Sequence, residues 1–376
     1  MRLGSACRLC GAARLRTAMT LENAPRNIQR LLTEHDLAAD RPTSLEVSQC
    51  DDCGFVQLLE ELESDYYDDY LMTTSHSPQM RAYQCEQAHS FVANFTLASK
   101  RVIEIGCGDG NYLSYLLEAG AQAVGLEPSA KARSIAQGKG LAVTGGYLGR
   151  EHPADGSPYD GFVTRQVLEH VADVNGFLQG IRQSLTTGAA GLVEVPSLEK
   201  AVELGRFYDF FPDHLNYFSA LTLRHVLHRN GFEVIDVFPG MQGEYNIALV
   251  KKASTPDLLT LARAKDSTIR ALDKFLIDQR SQGRRVAAWG AGGKGNTLLA
   301  VARAHDVAYV IDSDLGKHGR FTPVSHIPIV PPKTLLSEPV DAIILTALAY
   351  RDEILRQLRG ELGFPGEVAV LGEDLQ

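Results

Sequence analysis

Two pairs of thiols, two glycine-rich turns, a scatter of acids beside them and two histidines are the residues of this chain whose types and spacing could do chemistry. Cys7 and Cys10 stand in C-R-L-C-G, and Cys50 and Cys53 in C-D-D-C-G. Two residues between thiolates let one tight turn present both sulfurs to a tetrahedral ion, and two such turns complete a closed four-thiolate site. The gap from Cys10 to Cys50 is longer than in a compact ribbon, so the segment between must form its own hairpin or helix. A closed site leaves no open coordination position, and the ion expected is structural zinc; a redox dithiol is the alternative.

The first glycine turn lies in Val102 to Asn111, V-I-E-I-G-C-G-D-G-N, with glycines at 106, 108 and 110. A β-branched run, a glycine turn and a helix start leave backbone N–H groups open to a ligand that only glycine lets approach closely. Glu104 precedes the turn, and Glu127 closes the next apolar run at the place where an acid holds ribose hydroxyls. A later strand runs into R-Q-V-L-E-H, which puts Gln166 and His170 at the carboxyl ends of the strands. The aromatic stretch Phe207 to Ser219, F-Y-D-F-F-P-D-H-L-N-Y-F-S, sets Asp213 beside His214. An adjacent carboxylate raises an imidazole's pKa and would tune His214 as a general base.

The second glycine turn, G-A-G-G-K-G-N-T, places Gly290, Gly292 and Gly295 as G-x-G-x-x-G, with Asp312 ending the next strand. A dinucleotide such as NAD must therefore be weighed there. It is not a phosphate-binding Walker loop, since Lys294 is followed by glycine. Residues Asp65 to Arg81, rich in tyrosine and hydroxyls, read as a polar connector or as a lid over the pocket.

These residues need a scaffold of more than one core, which 376 residues supply. The composition, 44% hydrophobic and 22% charged, is that of a soluble globular protein. No apolar run reaches the length of a membrane helix, and Arg2, Arg8 and Arg14 stand where a signal peptide would need an apolar core, so a cytoplasmic location is expected. A net charge of -9 argues against extended nucleic-acid binding. The pattern predicts a helix over 81–99, then alternating strands and helices: strands at 102–105, 123–127, 141–144, 159–164, 191–196, 232–237 and 245–250 make seven, a doubly wound α/β sheet. A long amphipathic helix over 255–282 opens a smaller parallel α/β domain with a helix over 351–362. The expected domains are 1–64, binding zinc; 65–95, an approach segment; 96–253, the central sheet; and 254–376, a Rossmann-like unit.

The spacing of the first turn, G-x-G-x-G with Asn111 where a dinucleotide fingerprint has glycine, favours S-adenosylmethionine over NAD. That stretch resembles the first motif of class I methyltransferases dependent on this donor. The ordered set of features resembles, over nearly the whole chain, the three-domain C-methyltransferases that act on nucleotide-linked keto-deoxysugars. The set comprises the two Cys-x-x-Cys pairs, the tyrosine-rich approach, E-I-G-C-G-D-G, the histidine after the fourth strand, D-H-x-x-Y-F-S and the G-A-G-G-K-G-N-T run with its I-D-S-D. The resemblance implies that Glu104, Gly106, Gly108, Gly110, Glu127 and Gln166 bind the donor. It further implies that His214, Asp213, His170 and Tyr70 serve catalysis, and that Tyr217, Gly292, Lys294 and Asn296 touch a nucleotide-sugar. Phe211 stands where the family's motif has tyrosine. The expected reaction is carbon methylation next to a ketone, with His214 oriented by Asp213 as base and His170 or a tyrosine hydroxyl on the enolate oxygen. The rivals are methyl transfer to oxygen or nitrogen of a small natural product, and an NAD-linked oxidoreductase or binding protein. The oligomeric state stays open, a monomer included.

Overall fold

A computed structural model of the protein describes residues 6–28, 31–59, 77–254, 256–372 and 374–375. It divides into two units, residues 1–254 and 255–376.

The first unit opens with strands β1 (Leu15–Ala24) and β2 (Thr43–Cys50), an antiparallel pair that fills the gap between the cysteine pairs, and β3 (Val56–Leu58). Helix α1 (Pro78–Asn94) starts earlier than expected because Ser77 caps it, accepting from the Met80 N–H, and Pro78 is tolerated in the first turn. Then follow β4 (Arg101–Ile105), α2 (Asn111–Glu118), β5 (Gln122–Leu126), α3 (Ala130–Gly138), β6 (Val143–Thr144), β7 (Tyr159–Arg165), α4 (Val174–Gln183), β8 (Leu185–Pro196), α5 (Leu198–Glu203), β9 (Asn216–Tyr217), α6 (Ala220–Arg229), β10 (Phe232–Gly240) and β11 (Tyr245–Lys252).

The main sheet has the seven strands expected, in the order β10-β11-β8-β7-β4-β5-β6. The strands from β8 to β6 run parallel, while β11 and β10 close one edge antiparallel. Strands β4 and β7 are buried on both faces, which is why they read as near-continuous apolar runs. The chain order reverses between them, so a crevice opens at their carboxyl ends. Strand β8 begins at Leu185, six residues before the expected start, and only the end of the expected third strand pairs, as β6.

A smaller sheet, β1-β2-β3-β9, joins the cysteine region to the aromatic stretch. Strand β9 is two residues of that stretch paired antiparallel with β3. Across this junction the rings of Phe55 and Phe218, both fully buried, lie 5.2 Å apart.

The second unit holds α7 (Leu258–Ser281), β12 (Val286–Trp289), α8 (Gly293–Val301), β13 (Val307–Ile311), β14 (Ile329–Val330), α9 (Thr334–Ser337), β15 (Ala342–Leu345), α10 (Arg351–Arg356) and β16 (Glu367–Val370). Its five strands are parallel in the order β14-β13-β12-β15-β16. Where one helix was expected over 351–362, α10 ends at Arg356 and a wider π turn occupies Gln357–Glu361. No described helix is long and apolar enough to cross a membrane.

Candidate active site

The glycine turn between β4 and α2 forms as its sequence requires. Gly106 and Gly110 hold φ of 74° and 82°, the left-handed region that side chains resist. A Cβ on Gly106 would also stand 2.3 Å from a methyl of Val167. Glu127, after β5, braces the turn by accepting from the N–H groups of Gly108 and Ser129, each at 2.8 Å. Glu104 is 3% exposed and its Oε2 has no hydrogen-bond partner. Burial raises its pKa to about 8, despite Arg165 nearby.

A cavity of about 520 Å³ opens at this point, within the range of small-molecule sites. It brings together Glu104, Gly106, Gly108, Glu127, Gln166, His170 and His214. Gly110 caps α2 beneath the turn. Gln166 sits at a φ of 54°, a strained conformation for a residue with a side chain, and its own N–H donates to the Glu194 carbonyl at 2.8 Å. An orphaned buried acid and a turn of glycines that lets a ligand approach closely suit a donor that carries a sulfonium, an ammonium and a ribose.

Behind the cavity lies a polar network that the sequence did not announce. Arg165 bonds Glu194 at 2.6 Å, and both are buried. Tyr83 and Gln87 of α1 donate to the other oxygen of Glu194 at 2.5 and 2.7 Å. The Arg165 guanidinium also stacks 4.4 Å from the Tyr112 ring centroid. These residues are distant in sequence and carry no motif.

The two histidines meet, with ring centroids 4.7 Å apart edge to face. His170 follows β7 in a single turn, and His214 comes from the aromatic stretch. Asn216 of β9 pins the two segments together, donating to the carbonyls of Leu168 at 3.1 Å and Val171 at 2.7 Å. The expected Asp213–His214 pairing is overturned. His170 Nδ1 lies 2.8 Å from the Asp213 carbonyl oxygen and 3.9 Å from its carboxylate. A carbonyl only accepts, so Nδ1 of His170 carries the proton and its Nε2 keeps the lone pair. Burial lowers the His170 pKa, with Asp213 opposing. The expected rise at His214 is likewise reversed: burial and then His170 hold it well below the usual imidazole range. Adjacent residues on a chain point apart, which is why neighbours in sequence here serve different rings.

Among the other expected residues, Tyr70 lies outside the described residues. Tyr217 does not line the cavity among the described residues; it is buried, and the Phe211 N–H donates to its hydroxyl at 3.1 Å. Phe211 does line the cavity, its ring 4.1 Å from that of His214. In the second unit Gly292 caps α8, Lys294 is exposed, and Asn296 donates to the Ala291 carbonyl at 3.3 Å. Asp312 accepts from the Ala291 and Asp314 N–H groups and from Lys317 Nζ, each at 2.9 Å. The ammonium of Lys317 thus holds the carboxylate that a dinucleotide's ribose would need.

The four cysteines converge, their sulfurs all within 4.8 Å of one another. Cys7 and Cys53 are 3.6 Å apart and Cys10 and Cys50 3.7 Å, close to the roughly 3.8 Å edge of a tetrahedron with zinc–sulfur bonds of about 2.3 Å. Without a cation, burial pushes the Cys7 thiol up to about 11 and Cys53 up as well. The donor set and its spacing are compatible with zinc.

Residues 79–237 match the family model described as a methyltransferase domain, and residues 255–369 match the one described as a C-methyltransferase C-terminal domain. The C-methyltransferase NovU of Streptomyces niveus is 24% identical over 93% of this chain and 91% of its own length. The ubiquinone biosynthesis O-methyltransferase of Rhizobium etli is 29% identical over 32% of this chain and 49% of its own. Magnesium protoporphyrin IX methyltransferase from Synechocystis is similar at a TM-score of 0.39 and 19% identity, covering 50% of this chain and 91% of that one. The seven-stranded fold and the glycine-turn site define a class I S-adenosylmethionine-dependent methyltransferase. The match extends through the second unit, so the chain is similar over nearly its whole length to a C-methyltransferase.

Proposed function

We propose that the protein methylates a carbon next to the ketone of a nucleotide-linked deoxysugar, with a histidine as general base. One observation carries this reading: two imidazoles, both pushed toward the neutral form, share a cavity with the glycine turn, and one has its proton fixed on the far nitrogen. S-adenosylmethionine, when bound, supplies a methyl on a sulfonium. Nε2 of His170 accepts the proton α to the carbonyl, and the Asp213 carbonyl and carboxylate hold the ring and favour the imidazolium that forms. This moves the role of base from His214, where it was expected, to His170. His214, which makes no hydrogen bond through its ring among the described residues, packs against Phe211 and His170 and shapes the acceptor's place. The methyl is then transferred to the carbanion in line, a step that depends on positioning.

Glu104, the 106–110 turn, Glu127 and Gln166 would hold the donor. Gly292, Lys294 and Asn296 would contact the nucleotide portion of the acceptor. The four cysteines would hold structural zinc, and the protein would work in the cytoplasm. Thermal-shift titration with S-adenosylhomocysteine, NAD and thymidine diphosphate tests the reading, since a ligand raises stability by mass action. S-adenosylhomocysteine should raise the melting temperature and NAD should not; the reverse result would sink it. Exchange of the substrate's α proton for deuterium without donor separates carbon methylation, which requires it, from transfer to oxygen or nitrogen.

A further inference from the structure

Glu169 sits between Leu168 and His170 in the turn after β7, where none of the roles above uses it. It is 1% exposed, lines the cavity, and neither carboxyl oxygen has a hydrogen-bond partner. One of those oxygens, a ring nitrogen of His170 and a ring nitrogen of His214 all lie within 4.8 Å of one another. Among the described residues no lysine or arginine forms an ion pair with it. The titratable groups that face it are Glu194 of β8, Asp213, Tyr245 of β11 and the two imidazoles, none of them a fixed cation. A buried carboxylate without a counter-charge or donors sheds its charge by taking up a proton, and it then becomes an O–H donor.

An enolate-forming site needs such a donor close to its base, and Glu169 stands within 4.8 Å of both imidazoles. Neutral His170 presents a lone pair on the side away from Asp213, so it takes a proton and cannot also stabilise an oxyanion. The enolate that forms when carbon loses its proton needs a hydrogen-bond donor at its oxygen. We propose that Glu169 is a catalytic residue of this reaction, its carboxyl O–H donating to the acceptor's carbonyl oxygen as that oxygen becomes an enolate. The proposal rests on the reading of the site as an enolate-forming one. The α proton passes to His170, the carbon–carbon bond forms as the sulfur–methyl bond breaks with its electron pair left on sulfur, and Glu169 keeps its own proton. The imidazolium afterwards returns its proton to water.

Glu169→Gln and Glu169→Ala separate a donor from a carboxylate, because an amide still donates. With a thymidine-diphosphate keto-deoxysugar as acceptor, Glu169→Gln should keep kcat within about tenfold, while Glu169→Ala should lose about a hundredfold to a thousandfold. S-adenosylhomocysteine affinity should be unchanged in both. The wild type should lose activity as pH rises through about 8, and Glu169→Gln should not. A carboxyl-stretch band of a protonated acid, absent from Glu169→Gln, should appear in the infrared difference spectrum of the acceptor-free protein at pH 7. Equal inactivity of the two variants would overturn the proposal, as would a metal equivalent beyond the cysteine-bound one that disappears in Glu169→Ala, because both require a carboxylate. Full activity of Glu169→Ala would overturn it too. Absence of the infrared band overturns it whatever the acceptor, whereas a wild type that shows the band but methylates no keto-sugar overturns the functional reading and the enolate role with it.

Discussion

His170 accepts a proton only while it is neutral, and its environment is arranged to keep it so. Burial lowers its pKa, and that of His214, below the ordinary imidazole value of about 6.5. Protonation removes the base, so a lowered pKa moves the acid limb of the pH–rate profile down; kcat/KM should stay flat through pH 6.5 and fall only below it. A limb at or above that value would contradict the account. His170→Ala should lower kcat by about a hundredfold to ten-thousandfold while calorimetry shows unchanged S-adenosylhomocysteine affinity. Glu104 carries a separate prediction. Burial raises its pKa to about 8, so the empty site holds a proton at pH 7 that a cationic donor should expel. Calorimetry of S-adenosylmethionine binding in buffers of different ionisation enthalpy should show net proton release, absent in Glu104→Gln. The same shift has a sign for stability: the unfolded chain ionises first, so stability should fall as pH rises from the usual carboxylate range toward 8, less steeply in Glu104→Gln.

Local elements were largely legible in the sequence. The strand, glycine turn and helix from Arg101 to Glu118 depend on neighbours in the chain, and β-branched residues followed by glycines specify them. Strand β9 was not legible, since two residues carry no periodicity and its partner β3 is remote. Asn216 likewise has no local signal, yet it ties both histidine segments together. Gly110→Ala should weaken S-adenosylhomocysteine binding and lower the melting temperature, because it forces a side chain into a left-handed conformation at a cost of about 1–3 kcal/mol and aims a Cβ at Leu141. The cysteine region reaches the site through the small sheet. Leu58 donates its N–H to the Leu215 carbonyl at 3.0 Å, beside His214, and Asn175 of α4 donates to the Arg8 carbonyl at 2.8 Å. Cys50→Ser should therefore reduce the metal content and kcat together while sparing S-adenosylhomocysteine affinity. Metal loss with undiminished kcat would show that the cysteine region does not position His214.

At the scale of the whole chain, the sequence revealed which residues have chemistry in them but not how they face one another. Asp213 and His214 are adjacent, and adjacency suggested a pair; packing instead turns the Asp213 carbonyl and carboxylate to His170, from a segment far away along the chain. Glu194 and Tyr83 were silent for the same reason, as was the tie of Arg165 to them, because their network exists only once β7, β8 and α1 have packed. The second unit carries its own glycine turn, and there Lys317 holds the acid that a dinucleotide would need. Lys294→Ala should raise KM for the nucleotide-linked acceptor without altering S-adenosylhomocysteine affinity, read from steady-state kinetics and calorimetry side by side. The central claim, methyl transfer to carbon beside a ketone with His170 as base, is tested most directly by following an isotopically labelled methyl from S-adenosylmethionine into a nucleotide-linked keto-deoxysugar by NMR. The account predicts a labelled methyl bonded to the carbon next to the carbonyl in the wild type and almost none in His170→Ala; a labelled methyl on oxygen or nitrogen, or equal transfer by the variant, would contradict it.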